Sequence, residues 1–315
     1  MPEKKEMAIL LNFFNPCNSK RILMNFLYTF NMLKAAKRPV YAIECLFPGQ
    51  NPSIGFENIV QVRTKSYFFH KERLYRILEK FVPPKYTKLL FIDADLFYEE
   101  ADWYEVITKS LDRHEVVQPY KIVHYLDLSY KEIIQSIESC AQNSGDKHDV
   151  RYQVGMAWAM TRDYYKRCGF FDHCVIGNGD LLSAVHFTSK KLDNTNSIIT
   201  RLHKETYAEY TAKPKPTSYG HVDLTVYHLY HGSLTNRKYW DRNFIFKEID
   251  VDLSYLIKMN DDGVFEWRSE EDNRKWNPIL LQHFTERKDD EFYDDIGVDV
   301  NLSLVYKAKK PAPPS

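Results

Sequence analysis

Lys88-Leu89-Leu90-Phe91-Ile92-Asp93-Ala94-Asp95-Leu96-Phe97-Tyr98 is the stretch from which the fold can be read. An apolar run of strand length ends abruptly in two aspartates. Pro83-Pro84 stops a helical pattern before it, and Glu99 to Asp102 opens another after it. Such strands are usually buried in a parallel sheet, and α/β sheets place ligands at the C-terminal ends of their strands. Successive strand residues point to opposite faces, so acids two positions apart share one face, and two carboxylates side by side are costly in a core. A divalent cation holding a phosphate-bearing ligand accounts for them, and hard oxygen ligands suit Mg²⁺ or Mn²⁺. A capping pair before the next helix is the competing explanation. Asp250-Val251-Asp252 repeats the Asp-x-Asp pattern in no comparable context and reads as a helix cap or solvated turn.

Outward from this strand the chain alternates. Ala8 to Phe14 is a strand ended by Asn15-Pro16, and Ser19 caps a helix carrying Ile22, Phe26, Phe30 and Leu33 on one face. Val40 to Leu46 and Ile59 to Val62 are strands, and His70 to Phe81 is a helix. This alternation predicts an α/β fold: a mostly parallel central sheet with helices on both faces. Further on, Val116 to Pro119 is a strand and Ser129 to Ala141 has helical spacing. Gln142 to Arg151 is a polar loop, and Gly155 to Met160 is a strand carrying Trp158. Thr161 caps a short helix. Gly177-Asn178-Gly179-Asp180 is a tight turn leading into an apolar helix from Leu181 to Phe187. Leu224 to Tyr230 is a strand running into His231-Gly232-Ser233.

Basic and acidic residues balance at 43 each, so no charge excess advertises a nucleic acid or an anionic membrane as partner. Aromatic content of 15% suits stacking on sugars or bases and equally an aromatic core. Five cysteines, with no Cys-x-x-Cys pair, read as reduced thiols. The charged start lacks the apolar core of a signal peptide, and no run approaches the ~20 apolar residues of a membrane span. These features set the expectation of a cytoplasmic protein without a membrane span. Residues 307–315, rich in proline and lysine, read as a disordered tail.

Several side chains are candidates for chemistry. Asp95 is the preferred metal ligand, with Asp93 holding the metal, its water or a ribose. Asp180, between a glycine turn and a helix, can accept a proton from an attacking hydroxyl, or it is an ordinary helix cap. His228 and His231 fall on opposite faces if the strand continues through both, so both reach one metal only if it ends between them. Gly232 puts His231 at the strand exit, which makes it the expected nitrogen ligand in place of His228. Arg21, Arg63 and Lys71 are cations near strand ends or helix starts, where a diphosphate would lie. Phe14 and Asn15 follow the first strand, where a doubly wound sheet receives a base. Trp158 offers an aromatic face to a sugar or fills a core.

Taken together, these segments resemble nucleotide-sugar glycosyltransferases of the GT-A fold. The resemblance is carried in order by Asn12-Phe13-Phe14-Asn15-Pro16, Phe69-His70-Lys71-Glu72-Arg73-Leu74, Leu90 to Asp95, Val117-Gln118-Pro119-Tyr120 and Gly155 to Thr161. Ile176 to Asp180, His228 to Ser233 with Arg237, Tyr239 and Arg242, and Glu286-Arg287-Lys288-Asp289-Asp290 complete it. The resemblance implies a Rossmann-like sheet with C-terminal acceptor-side additions in one domain over 1–306. Residues 8–120 would bind the nucleotide-sugar and 121–306 the acceptor. It implies that Asp93-Ala94-Asp95 is the donor and metal motif, that His231 is a metal ligand and that Asp180 is the catalytic base. Gly179, on the acceptor side, departs from the Glu that several relatives carry there. The expected protein is a metal-dependent (Mn²⁺ or Mg²⁺) inverting glycosyltransferase with a UDP-sugar as donor and a glycan as acceptor. A catalytically silent glycan- or nucleotide-sugar-binding protein of the same fold is the alternative.

Overall fold

The computed structural model describes residues 6–55, 59–192, 201–237 and 241–293. The expected tail at 307–315, the boundary at 306 and Tyr239 lie outside these residues.

The larger sheet has seven strands. They are β1 (Met7–Phe14), β2 (Val40–Leu46), β3 (Ile59–Arg63), β4 (Lys88–Ile92), β6 (Val116–Gln118), β9 (Ala157–Thr161) and β10 (Tyr219–His221), in the order β10-β6-β9-β4-β1-β2-β3. All neighbouring pairs are parallel except those made by β9, which runs against β4 and β6. The expected α/β architecture, a mostly parallel sheet between helices, is therefore what the chain adopts. β4 is buried along its whole length, as its unbroken apolar run requires.

Helices cover both faces. α1 (Lys20–Ala35) and α3 (Trp103–Ser110) pack Phe26, Phe30 and Ile107 on Ile9, Leu11, Leu90 and Ile92. α2 (Lys71–Leu78), α4 (Arg162–Arg167) and α5 (Gly179–Phe187) pack Leu74, Tyr164 and Phe187 on the other face, against Leu10, Leu89 and Phe91. Successive residues of β1 and β4 thus feed opposite cores, which pins the register. Ser19 and Thr161 cap α1 and α4 as their sequence positions predict, and Asp252 caps a short 3-10 turn.

A second sheet stands at the C-terminal edge of the first. It consists of β5 (Leu96–Tyr98), β11 (Thr225–His228), β7 (Ile122–Leu126) and β8 (Ile133–Glu138), in that order. β8 corrects the helical expectation for Ser129 to Ala141. Asp127 Oδ1 accepts from the backbone N–H of Lys131 and Glu132, which turns the chain back into a hairpin. The β-branched Ile133, Ile134 and Ile137 then extend along β7. Their helical spacing was coincidental, because this edge strand is exposed along most of its length. The C-terminal additions are α6 (Lys204–Thr211), a hairpin of β12 (Ile257–Met259) and β13 (Phe265–Trp267), and α7 (Glu270–Glu286). Phe246, Trp267, Trp276 and Leu280 from this region pack with Phe68 and Ile176.

Arg162 ties the turn before β4 to the end of β9. Its guanidinium donates to Glu79 Oε1 at 2.6 Å, Pro83 O at 2.7 Å and Val82 O at 2.8 Å. Truncation strands a buried carboxylate and several carbonyls. Arg162→Ala should cost about 3–5 kcal/mol in urea unfolding. A loss under ~1 kcal/mol, the range of a surface pair, would show that this contact does not hold the turn.

Candidate functional site

The seam between the two sheets opens into a cleft of about 620 Å³. Asn12 to Cys17, at the end of β1 and just beyond it, and Asp93 to Asp95 after β4 form its floor. Gly177, Asn178 and Asp180 at the start of α5 form one wall, and His228 and His231 after β11 form another. The placement follows from topology: β1 and β4 are parallel neighbours, so their C-terminal turns lie side by side.

β4 stops at Ile92, and the two aspartates lie in the turn that leads to β5. Two backbone bonds hold this turn. The Asp93 N–H donates to Met156 O at 2.9 Å, and the Leu229 N–H donates to Asp95 O at 2.8 Å. The side chains then separate. Asp95 Oδ2 lies 3.0 Å from His231 Nε2 and 3.7 Å from His228 Nε2, and the two ring nitrogens are 3.1 Å apart. These three residues offer ligand atoms within 4.8 Å of one another. Asp95 Oδ1 is buried and has no hydrogen-bond partner among the described residues. A carboxylate that faces two imidazoles through Oδ2 and leaves Oδ1 without a partner fits a divalent cation.

β11 ends at His228, so the condition for both histidines to reach one metal is met. His228, on the last strand residue, stands beside His231 at the Asp95 carboxylate, so both imidazoles, and not His231 alone, could hold a metal ion. Asp93 does not join this group. It pairs with Lys71 Nζ at 2.7 Å, and the same ammonium lies 3.9 Å from Asp180 Oδ2.

Electrostatics sort these groups. Burial works against the charge on Asp95, but His228, His231 and Arg237 outweigh it and hold the carboxyl well below the usual carboxylate range. Burial brings His228 down to about 3, so its ring is neutral and able to ligate. Burial pushes Asp93 up to about 6 against the attraction of Lys71. Burial opposes the charge on Lys71 as well, but Asp93, Asp180 and Glu72 raise its pKa.

Asp180 lies in the first turn of α5, while Asn178, with φ of 77°, occupies the cap position. Asp180 Oδ1 accepts from the Leu181 N–H at 2.8 Å, and the side chain remains 29% exposed, open to a ligand in the cleft. Gly155 makes room for it, since a Cβ there would lie 2.7 Å from Asp180 Oδ2. Gly179 makes room for Glu72, whose carboxyl lies 2.5 Å from where a Cβ would stand. Gly179 therefore faces the protein interior and does not line the cleft.

Phe14, Asn15, Lys71, Ala94 and Asp95 all line the cleft as expected. Besides Gly179, three expected contacts do not. Trp158 is a core residue, 2% exposed, packed on Phe187 with its indole N–H on Val154 O. Arg21 is buried beside Tyr130 and Glu291. Arg63 is exposed on edge strand β3 and reaches Gln50 O. Sequence reasoning assigned no role to Glu72, Gly155, Arg242 or Asp289. Arg242 lines the cleft and donates to Asn178 Oδ1 at 2.9 Å, bracing the turn before Asp180. No spacing pattern links these residues to the aspartate turn.

No family model and no curated protein matches this sequence. Solved structures similar to it include the catalytic domain of Drosophila beta1,4-galactosyltransferase 7 in complex with xylobiose. It is 15% identical, with 60% of this chain and 64% of that chain covered at a TM-score of 0.34. A mutant of the same enzyme in complex with manganese, UDP-Gal and xylobiose is also 15% identical, with 59% and 63% covered at a TM-score of 0.33. A glycosyltransferase involved in glycosylation of the major capsid of PBCV-1 is 11% identical, with 78% of this chain and 100% of that chain covered at a TM-score of 0.32. The chain spans less than two thirds of the length of the two galactosyltransferase structures. No helix among the described residues is long and apolar enough to cross a membrane.

Glu72 supplies a test of the site's electrostatics. Burial, with Asp180 adding to it, pushes its carboxyl up to about 8. The folded state therefore holds a proton that the unfolded chain gives up near the ordinary value of 4.5. This contribution to stability is complete below that value and is lost as pH rises through about 8. Thermal melts across the range should show Glu72→Gln flattening the decline and melting above wild type at the alkaline end. An unchanged decline in the variant would place its source elsewhere.

Proposed function

We propose that this chain is a metal-dependent, inverting glycosyltransferase that moves a sugar from a nucleoside-diphosphate sugar, a UDP-sugar by preference, to a glycan hydroxyl. The observation that carries the proposal is one cleft joining the Asp95, His228 and His231 group to the Lys71, Asp93 and Asp180 cluster. A volume of about 620 Å³ is in the range that accepts a nucleotide-sized ligand.

Asp95, His228 and His231 would hold the cation, and the two imidazole nitrogens favour Mn²⁺ over Mg²⁺. Bound there, the ion supplies neutralisation of the charge that builds on a departing diphosphate. Phe14 and Asn15, at the end of β1, form the side of the cleft that receives the base. Asp93, held by Lys71, is left for the ribose or the sugar. Asp180 takes the proton of the acceptor hydroxyl as that oxygen attacks the anomeric carbon. The bond to the diphosphate oxygen breaks on the opposite face, and the configuration inverts. Asp180 is suited to this because one oxygen is fixed by the Leu181 N–H and the other faces the cleft.

Calorimetry with a panel of nucleotide-sugars should detect Mn²⁺-dependent donor binding. Asp95→Ala, His228→Ala and His231→Ala should each weaken it. Equal donor affinity in excess chelator would remove the metal from the account, and an effect confined to one histidine would remove the other.

Asp180→Asn keeps the shape and removes the basicity. Transfer should fall by at least ~10²-fold, the lower end of a positioned base's contribution, while donor affinity stays within a few-fold of wild type. Near-normal transfer in this variant would leave Asp180 a helix-start residue only. Donor binding without transfer in the wild type would favour a binding protein over an enzyme.

A further inference from the structure

The segment that follows α7 returns to the cleft and carries two adjacent acids with different duties. Asp290 is spent on α1: its carboxylate accepts from Ser19 Oγ at 2.7 Å, Arg21 N at 2.9 Å and Lys20 N at 3.0 Å. It satisfies the open N-terminus of a helix 271 residues away in sequence. Glu291 adds to the same docking, accepting from Arg21 Nη2 at 3.3 Å and Asn236 Nδ2 at 3.0 Å. Gly232 lets the segment approach, since a Cβ there would lie 2.9 Å from Arg287 O.

Asp289, 7% exposed, is thereby held behind His231. Its Oδ1 lies 3.6 Å from His231 Nδ1, 3.5 Å from Arg237 Nη2 and 3.6 Å from Arg287 Nε. His231 turns its other nitrogen, Nε2, toward Asp95. A neutral imidazole carries one proton, and Nε2 can give its lone pair to a cation only when that proton sits on Nδ1. Arg237 touches Nδ1 and donates to His231 O at 2.5 Å. A guanidinium has donors only. Acting alone, it would draw a lone pair from Nδ1 and leave the proton on Nε2, which blocks ligation. Asp289 Oδ1, buried and with no hydrogen-bond partner among the described residues, is an acceptor 3.6 Å from Nδ1 that can reverse this choice.

We infer that Asp289 is a positioning residue that sets the tautomer of His231, so that the cation site is competent only with the C-terminal segment docked on α1. The inference rests on the proposed cation group but is tested separately from it. Long-range ¹⁵N NMR of the metal-free wild-type protein near pH ~8.5, above the ordinary imidazole range of ~6.5, should show His231 protonated on Nδ1. Asp289→Ala should move the proton to Nε2 and lower Mn²⁺ affinity by about 10–100-fold. Asp289→Asn, which keeps a side-chain oxygen, should retain most of both. A purely structural role would not move the tautomer.

An Nε2–H ring in the wild type would overturn the inference, as would wild-type Mn²⁺ affinity in Asp289→Ala. If Asp289→Ala does not fold, the wild-type spectrum still decides. A wild type that binds no Mn²⁺ but shows the Nδ1–H ring would end the cation reading and leave the tautomer assignment standing.

Discussion

A carboxylate held in the turn at the end of a buried strand must be neutralised, and the Asp95 carboxylate is the charge around which this seam is built. Two imidazoles and Arg237 surround it, and its own backbone is bonded to β11 through Leu229. Removing such partners from a buried ion typically costs several kcal/mol. The second sheet is therefore tied to the first through the site itself. Among the described residues, one oxygen of Asp95 has no hydrogen-bond partner. A cation on that oxygen would complete the neutralisation and at the same time give a diphosphate its anchor.

The other acids of the cleft are distinguished by their partners. Asp93 is bound to Lys71, Asp180 to the first amide of its own helix, and Glu72 lies in a space made by Gly179. Identical side-chain chemistry thus yields an ionised carboxylate at Asp95, a paired acid at Asp93 and a proton-retaining acid at Glu72. Environment decides these roles.

Much of this was legible in the chain. The run from Lys88 to Asp95 announces a buried strand that ends in two carboxylates, and the helix starts at Ser19 and Thr161 are signalled by capping chemistry. Asp95, Asp180, Lys71, Phe14 and Asn15 meet in one cleft as the order of motifs implied. What failed did so for physical reasons. The place of His228 beside Asp95 is not legible because it depends on the residue at which β11 stops. Ile133 and Ile137 carry the spacing of a helix face in a segment that the Asp127 turn makes an edge strand. Trp158 and Arg21 are consumed by packing and hydrogen bonds that only the tertiary structure supplies. Asp289 stands in no local pattern with His231, and the docking that brings them together depends on Asp290 reaching a helix at the other end of the chain.

The most direct test of the central claim is diffraction from crystals of the protein grown with Mn²⁺ and a nucleoside diphosphate, with data collected at the manganese absorption edge. The account predicts one anomalous peak at coordinating distance from Asp95, His228 and His231, with diphosphate oxygens completing the shell and Asp93 still on Lys71. A peak bridging Asp93 and Asp95 away from the histidines, or nucleotide bound in the cleft with no peak, would contradict it.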